Sequence, residues 1–395
     1  MARYAGIIGW GKYVPERVLT NDDLAKIVET SDEWIRTRTG IAQRHIVDPK
    51  EATSNLAIRA AQQALNIADF DPTRLDLIIV ATCTPDYLIP NTACMVQDAL
   101  GASKAGAFDL NAACSGFIYA LSVASQMIVA GGINNALVIG AESLSRVLDW
   151  GDRNTCVLFG DGAGAVLLQA TDTPSGVVSF MLGADGSGAE LLLLRGGGSR
   201  IPACSVNPAL NGHLHLTMNG PEVFRFATRK MGQVSKEVID KAGLQIEDIE
   251  LFVPHQANLR IIQSATKYLD LPEDRVFVNL DKYGNTSAAS VPIALCEALE
   301  NGRIGPGDHV AMVAFGAGLT WAGTVIQWGP SIPTQRGPWW RGLLQALRYV
   351  LGRFIFLQHR LERKLDVLLM RIDLRDRREF NGHNRSRSDN HISQK

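Results

Sequence analysis

The sequence predicts a duplicated α/β fold, on three observations. Apolar β-branched runs alternate with helix-length segments through the first 330 residues, the pattern of stacked α/β layers. The strand-like run holding Leu77 resembles the one holding Leu251, 174 residues further on. At that same offset CSGFIYAL (114–121) lies over AASVPIAL (288–295), and NALVIGAE (135–142) falls near HVAMVAFG (309–316). A chain of 395 residues is long enough for two core-forming units or one large duplicated one.

In chain order, strands are expected at LDLIIVAT (75–82), NALVIGAE (135–142), GAVLLQA (164–170), IELFVPHQ (249–256) and HVAMVAFG (309–316). Helices are expected at 53–66, 91–100, 114–130, 221–242, 258–269 and 287–301. The duplication makes the helix start at Cys114 equivalent to the helix start near 287. Two such starts, related by a pseudo-twofold axis, would face one pocket. The expected division is 1–174 for the first half, 175–330 for the second, 331–380 for an extension and 381–395 for a disordered tail.

Composition narrows the class. Apolar residues make up 46% and charged residues 20%, as in soluble globular proteins. The six cysteines form no CxxC pair or dense framework, which favours a reducing compartment. The opening MARYAGIIGWGKYVPE has no long apolar run of the kind a signal peptide carries, so a cytoplasmic location is expected. The net charge of −1 conceals an asymmetry: residues 331–395 hold 14 Lys/Arg against 6 Asp/Glu, leaving the rest of the chain acidic.

Cys114 stands among small residues where a strand should turn into a helix. A helix start stabilises a thiolate through unpaired N–H groups and the helix dipole, and small neighbours let a substrate approach. A small buried structural cysteine fits the local residues as well. His255, in VPHQANLR, follows a strand and could act as acid, base or hydrogen-bond donor, with Gln256 and Asn258 adding polarity; it could equally be a satisfied structural histidine. Asn285, beside Gly284, sits at the repeat equivalent of the turn before Cys114. It reads either as a turn residue or as an amide donor to a developing oxyanion, with the backbone of AFGAGLT (314–320) as a further donor. GDGAGAV (160–166) looks like a dinucleotide loop but runs into a strand, whereas that fingerprint opens a helix. Neither GxxxxGK[ST] nor HExxH occurs, and His213 and His215 lack further ligands at convincing spacing, so no metal is expected.

Together the stretches TSDEWIRTRTGI (30–41), NAACSGFIYALS (111–122), FGDGAGAV (159–166), VPHQANLRII (253–262) and YGNTSAAS (283–290) resemble β-ketoacyl-acyl-carrier-protein synthase III, a thiolase-fold condensing enzyme. The resemblance implies a five-layered α/β/α/β/α fold, a homodimer and no cofactor. It implies that Cys114 takes an acyl group from acyl-coenzyme A, and that His255 and Asn285 hold the thioester carbonyl of malonyl-acyl-carrier-protein as it loses CO₂. Loss of CO₂ generates the carbanion directly, so no carboxylate is needed to remove a C–H proton, and neither pocket motif contains one. Matched one by one, Trp34, Arg38, Arg153 and Asn258 fall on coenzyme A positions, and Arg260 on a carrier-protein docking position. The implied activity starts fatty-acid synthesis; a related condensing enzyme or acyltransferase of specialised metabolism and a tail-driven membrane or protein interaction module are the alternatives. A thiolase is disfavoured, because its usual second cysteine is missing from AFGAGLT. Ile89 replaces a phenylalanine of the acyl pocket, Ala317 interrupts a glycine loop, and the family ends near Trp328.

Beyond that point apolar residues recur at helical spacing from Trp340 to Ile372, with arginines at 341, 348, 353, 360, 363 and 371. Arg348 and Arg353 interrupt the most apolar part, which argues against a membrane span. A basic amphipathic helix lying on a membrane surface, over residues 339–372, fits the pattern. So do a helical contact with another protein and a helix folded back on the body.

Overall fold

The computed structural model describes residues 2–202 and 213–329, together with Leu361 and Leu365. The basic extension and the tail expected after residue 330 otherwise lie outside the described residues. In chain order the elements are β1 (Tyr4–Tyr13), β2 (Val18–Thr20), α1 (Asn21–Leu24), α2 (Asp32–Thr39), β3 (Gln43–His45), α3 (Thr53–Ile67), β4 (Leu77–Ala81), α4 (Thr92–Leu100), β5 (Gly106–Leu110), α5 (Gly116–Val129) and β6 (Asn135–Glu142). They continue as β7 (Gly162–Thr171), β8 (Gly176–Ala184), β9 (Leu192–Leu194), β10 (Leu216–Met218), α6 (Gly220–Lys241), β11 (Ile249–Pro254), α7 (Leu259–Leu269), α8 (Leu280–Tyr283), α9 (Ser290–Glu300), β12 (His309–Gly316) and β13 (Thr320–Gln327).

Nine strands form a sheet in the order β11-β12-β13-β8-β1-β7-β6-β4-β5. It is two similar sheets joined at one point, where Ala5 pairs with Gly176. In the first, β6 pairs parallel with β4 and antiparallel with β7; in the second, β12 pairs parallel with β11 and antiparallel with β13. The position that β5 fills beside β4 shrinks, beside β11, to a single parallel bridge between Phe252 and Val276.

Burial shows why these residues choose their layers. All eight residues of β6 are buried, so it reads as one apolar run rather than an alternation. Side chains alternate along a strand, so Ile79 enters the central core while Ile78 and Val80 enter an outer one. In the central core Phe117, Ile118 and Leu121 of α5 meet Val291 and Leu295 of α9, flanked by strands of both sheets. The first outer core packs α3 and α4 onto the first sheet; the second packs α6 and α7 onto the other. The result is the expected five-layered α/β/α/β/α arrangement, with two central helices between two sheets.

The 174-residue repeat persists in the backbone. Short 3₁₀ turns, Ala113–Ser115 and Ser287–Ala289, lead into α5 and α9 at that spacing, and β6 and β12 follow at it. The first residue of each turn is left-handed, with φ 47° at Ala113 and 50° at Ser287. The close fit of the two halves depends on Gly140: a Cβ there would lie 2.2 Å from the Ala288 carbonyl oxygen.

Candidate active site

The two turns before the central helices meet the strand ends β6 and β12 in the middle of the molecule. Cys114 lies in the first turn, two residues ahead of α5; the sequence had placed it inside a helix beginning at 114. The turn is tied to the second sheet: Ser115 Oγ and Thr320 Oγ1 are 2.6 Å apart, and Thr320 Oγ1 donates to Ala112 O at 2.9 Å. Gly316 of β12 lies so close that a Cβ would fall 2.6 Å from Cys114 N. Burial pushes the Cys114 thiol up to about 12; the Ser287 hydroxyl draws it back and the charge of Glu142 adds to the rise.

His255 follows Pro254, the last residue of β11, and its backbone N–H donates to Val313 O at 2.8 Å. Its Nδ1 lies 2.5 Å from Ser290 Oγ, at the first residue of α9, and the Phe315 ring packs edge-on at 5.3 Å. Burial drives its pKa down to about 3, so the imidazole is neutral at physiological pH. Its Nε2 is buried with no protein partner among the described residues. When Ser290 donates to Nδ1, the ring's single proton stands on Nε2.

Asn285 is held by the glycine motif that the sequence left without a role. Its N–H donates to Leu158 O at 2.9 Å and its carbonyl accepts from Gly160 N at 3.0 Å. Its Oδ1 accepts from Ser287 N at 2.9 Å, which leaves the Nδ2 amide as the donor end of the side chain. The same motif is fixed by buried Asp161, which accepts from Val47 N, Ser145 N and Ser145 Oγ.

Sequence reasoning missed Glu142. It ends β6, beyond both pocket motifs, and is wholly buried. Its carboxylate accepts from Thr84 Oγ1 at 2.5 Å, Ser287 Oγ at 3.1 Å and the N–H and thiol of Cys83, both at 3.2 Å. No local sequence signal marks it; it reads as one more residue closing an apolar strand.

A cavity of about 360 Å³ opens between α2, the loop before β7, the start of α6 and the start of α7, lined by Trp34, Arg38, Arg153, Met218, Pro221 and Asn258 among others. The guanidinium carbons of Arg38 and Arg153 lie 4.4 and 5.1 Å from the Trp34 ring centroid. Each element is fixed locally. Ser31 caps α2 by accepting from Trp34 N at 3.1 Å, and Asn258 caps α7 by accepting from Arg260 N at 2.9 Å while donating to Arg38 O. Arg260 itself is exposed on the first turn of α7 and does not line this cavity. Ile89 is 90% exposed, beside Tyr87 and Leu88, and does not line it either.

Two family profiles match the halves that build this centre: 3-oxoacyl-[acyl-carrier-protein] synthase III over residues 108–186, and the C-terminal part of the same synthase over residues 239–328. The chain is 54% identical over 330 residues to β-ketoacyl-[acyl-carrier-protein] synthase III of Roseiflexus sp. strain RS-1, covering 83% of this chain and 99% of that one. It is 55% identical over 324 residues to the protein of the same name from Caldanaerobacter subterraneus subsp. tengcongensis, covering 82% and 98%. The crystal structure of the Thermus thermophilus β-ketoacyl-[acyl-carrier-protein] synthase III superposes with a TM-score of 0.77 at 50% identity, covering 82% of this chain and all of that one. With whole relatives matched at half identity and the same fold throughout the matched region, the chain belongs to the 3-oxoacyl-[acyl-carrier-protein] synthase III family of condensing enzymes.

Proposed function

We propose that the protein joins an acyl-coenzyme A starter to malonyl-acyl-carrier-protein by decarboxylative Claisen condensation, giving 3-oxoacyl-acyl-carrier-protein and CO₂ at the start of fatty-acid synthesis. The observation that supports this reading is the meeting of the two turns before α5 and α9. His255, whose Nε2 has no partner among the described residues, packs on Phe315, beside the Gly316 that abuts Cys114 N. Asn285, whose Oδ1 is engaged by Ser287 N–H, leads into the second turn. In the first half-reaction the Cys114 sulfur attacks the thioester and coenzyme A departs, leaving an acyl-enzyme. In the second, the carboxylate of the malonyl group leaves as CO₂. Its electron pair delocalises onto the thioester oxygen, and the enolate carbon attacks the acyl-Cys114 carbonyl. His255 Nε2–H and Asn285 Nδ2–H suit that oxygen because both are uncharged donors preorganised in a water-poor site.

Coenzyme A would lie in the cavity at Trp34, its adenine against the indole in place of one stacked guanidinium and its phosphates near Arg38 and Arg153. Asn258 would contribute a polar contact at the same wall. Arg260, exposed at the start of α7, would meet an acidic carrier protein and speed encounter. A homodimer is supported by β5, an edge strand with Phe108 and Leu110 only half-buried, and by the exposed apolar run Tyr87–Ile89. No helix among the described residues is long and apolar enough to cross a membrane. The reading places the body in the cytoplasm, with the basic stripe of residues 339–372 as a contact to an anionic membrane surface.

The test is a two-step assay with a panel of straight and branched acyl-coenzyme A. Peptide mapping should find one acyl group on Cys114. His255→Ala and Asn285→Ala should lower condensation by ~10²–10³ while acylation of Cys114 falls much less. Label on Cys83, Cys94 or Cys296 in place of Cys114 rejects the nucleophile. Equal loss of both half-reactions in the two variants rejects the division of roles.

A further inference from the structure

Glu142 closes β6 as a buried carboxylate with no part in either half-reaction, and the internal repeat pairs it with Gly316. At the 174-residue spacing these are the last residues of β6 and β12, and Ala113 corresponds in the same way to Ser287. Each strand end meets the turn of the other half, whose first residue is left-handed, φ 47° at Ala113 and 50° at Ser287. The two meetings differ in kind. On the nucleophile's side the strand end is a glycine, and a Cβ added to it would lie 3.1 Å from the Ala113 Cβ. On the other side the strand end carries a carboxylate, and Ser287 Oγ donates to its Oε1 at 3.1 Å. Left-handed backbone is strained for a residue other than glycine, so each turn persists only where its surroundings hold it.

From Ser287 the contact passes directly to Asn285. Ser287 N donates to Asn285 Oδ1 at 2.9 Å, while the backbone of Asn285 is pinned between Leu158 O and Gly160 N. What remains to be fixed in Asn285 is its amide. Half a turn about the last side-chain bond would present Oδ1, an acceptor, where Nδ2 should donate. The Ser287 N–H, aimed by the strained turn, selects between the two. We propose that Glu142 is a positioning residue for decarboxylation: it holds Ser287 in its strained conformation and so fixes the Asn285 amide with Nδ2 as the donor to the thioester oxygen.

The donors around Glu142 explain why a carboxylate stands there. Its Oε1 accepts from Ser287 Oγ and from the N–H and thiol of Cys83, the latter two at 3.2 Å; its Oε2 accepts from Thr84 Oγ1 at 2.5 Å and Thr82 Oγ1 at 3.3 Å. A glutamine has one carbonyl oxygen and would turn its amine toward donors on the other side. Burial raises the pKa of Glu142, and these hydrogen bonds draw it back. The anchor is itself fixed: Thr84 Oγ1 accepts from Ser143 N at 2.9 Å, and Thr53 Oγ1 donates to Thr84 O at 2.6 Å.

This role rests on the reading of Asn285 as an enolate donor, and a series of double variants separates the two. Condensation and acylation of Cys114 are measured for the full chain and its Ser287→Ala, Glu142→Gln and Glu142→Met variants, each alone and combined with Asn285→Ala. Ser287→Ala and Glu142→Met should each slow condensation by about 10–10², with acylation slowed much less. Glu142→Gln should fall between Glu142→Met and the unmodified enzyme, because its carbonyl can still accept from Ser287. Ser287→Ala removes a single oxygen, so it keeps the test decisive if methionine at 142 unfolds the chain. In the Asn285→Ala background none of the three should slow condensation more than about twofold further, since no amide is left to orient. A merely structural loss would carry over into that background and into acylation. Condensation by Ser287→Ala at the unmodified rate, its full further loss in the Asn285→Ala background, or equal loss of both half-reactions would each overturn the positioning role. Condensation by Asn285→Ala at the unmodified rate would overturn the donor reading instead.

Discussion

At the scale of single residues, burial keeps the His255 ring uncharged. His255 is buried against Phe315 and Ser290, and nothing charged offsets the loss of solvent around its ring, so burial alone lowers its pKa to about 3. In the unfolded chain the same imidazole titrates near ~6.5. Between these values the folded state binds fewer protons than the unfolded one, so stability falls as pH drops below about 6.5 and stops falling from this cause below the folded value. Nitrogen-15 NMR should find the His255 ring neutral from about pH 8 to 5, beneath its ordinary titration range. The His255→Gln variant should show a shallower loss of unfolding free energy over the acid range. A ring that becomes charged near its ordinary pKa would contradict the donor role. It would also reopen His255 as the base for Cys114.

Elements meet here at distances that only particular residues allow. β12 passes so near the Cys114 turn that Gly316 has no room for a side chain: its Cβ would lie 2.6 Å from Cys114 N and 3.1 Å from the Ala113 Cβ. Backbone cannot yield as a flexible side chain can. Gly316→Ala should therefore move the turn, destabilising the fold by about 1–3 kcal/mol, as overpacking does. It should also slow acylation by ~10², since misplacing a reacting group by an ångström has that effect. Thermal unfolding combined with single-turnover acylation checks both, and an alanine variant with native stability and rate would show that the contact is slack. The cap residues have a milder effect: loss of Asn258 would loosen the start of α7 by about 1 kcal/mol, together with its hold on Arg38 O.

On the scale of the whole molecule, the described body contains every element of the proposed site, while the basic charge lies in the extension. A chain ending at Gly329 should fold, acylate Cys114 and turn over soluble substrates nearly as the full chain does. If the extension binds lipid, the full chain should sediment with anionic vesicles and the shortened chain should not. Each basic residue near the surface adds roughly 1 kcal/mol to that binding. If instead the full chain ignores vesicles and truncation halves the mass measured by analytical ultracentrifugation, the stripe is a protein–protein seam. Were β5 and the Tyr87–Ile89 run the dimer contact, the shortened chain would stay dimeric and Phe108→Lys would make it monomeric.

Read alone, the sequence determined the elements whose burial is uniform or strongly periodic. The strands 135–142 and 309–316 and the helix 53–67 stand within a residue of where the pattern puts them, because a two-sided or one-sided apolar environment leaves a direct mark on composition. The repeat was legible for the same reason: two halves with the same burial need similar patterns. Strands β1, β5, β8 and β13 escaped, since their glycines and half-exposed residues weaken the alternation. Short motifs also singled out Cys114, His255 and Asn285, each beside a turn or helix start visible in sequence, whereas Trp34, Arg38, Arg153 and Asn258 stood out as binding residues only through the family resemblance. Only the tertiary structure decided that the glycine motif at 159–166 anchors Asn285 and that a strand-end glutamate reaches Ser287, 145 residues away. A carboxylate at the end of an apolar strand has no local signature, because what makes it acidic, basic or inert is the set of donors that other segments bring to it.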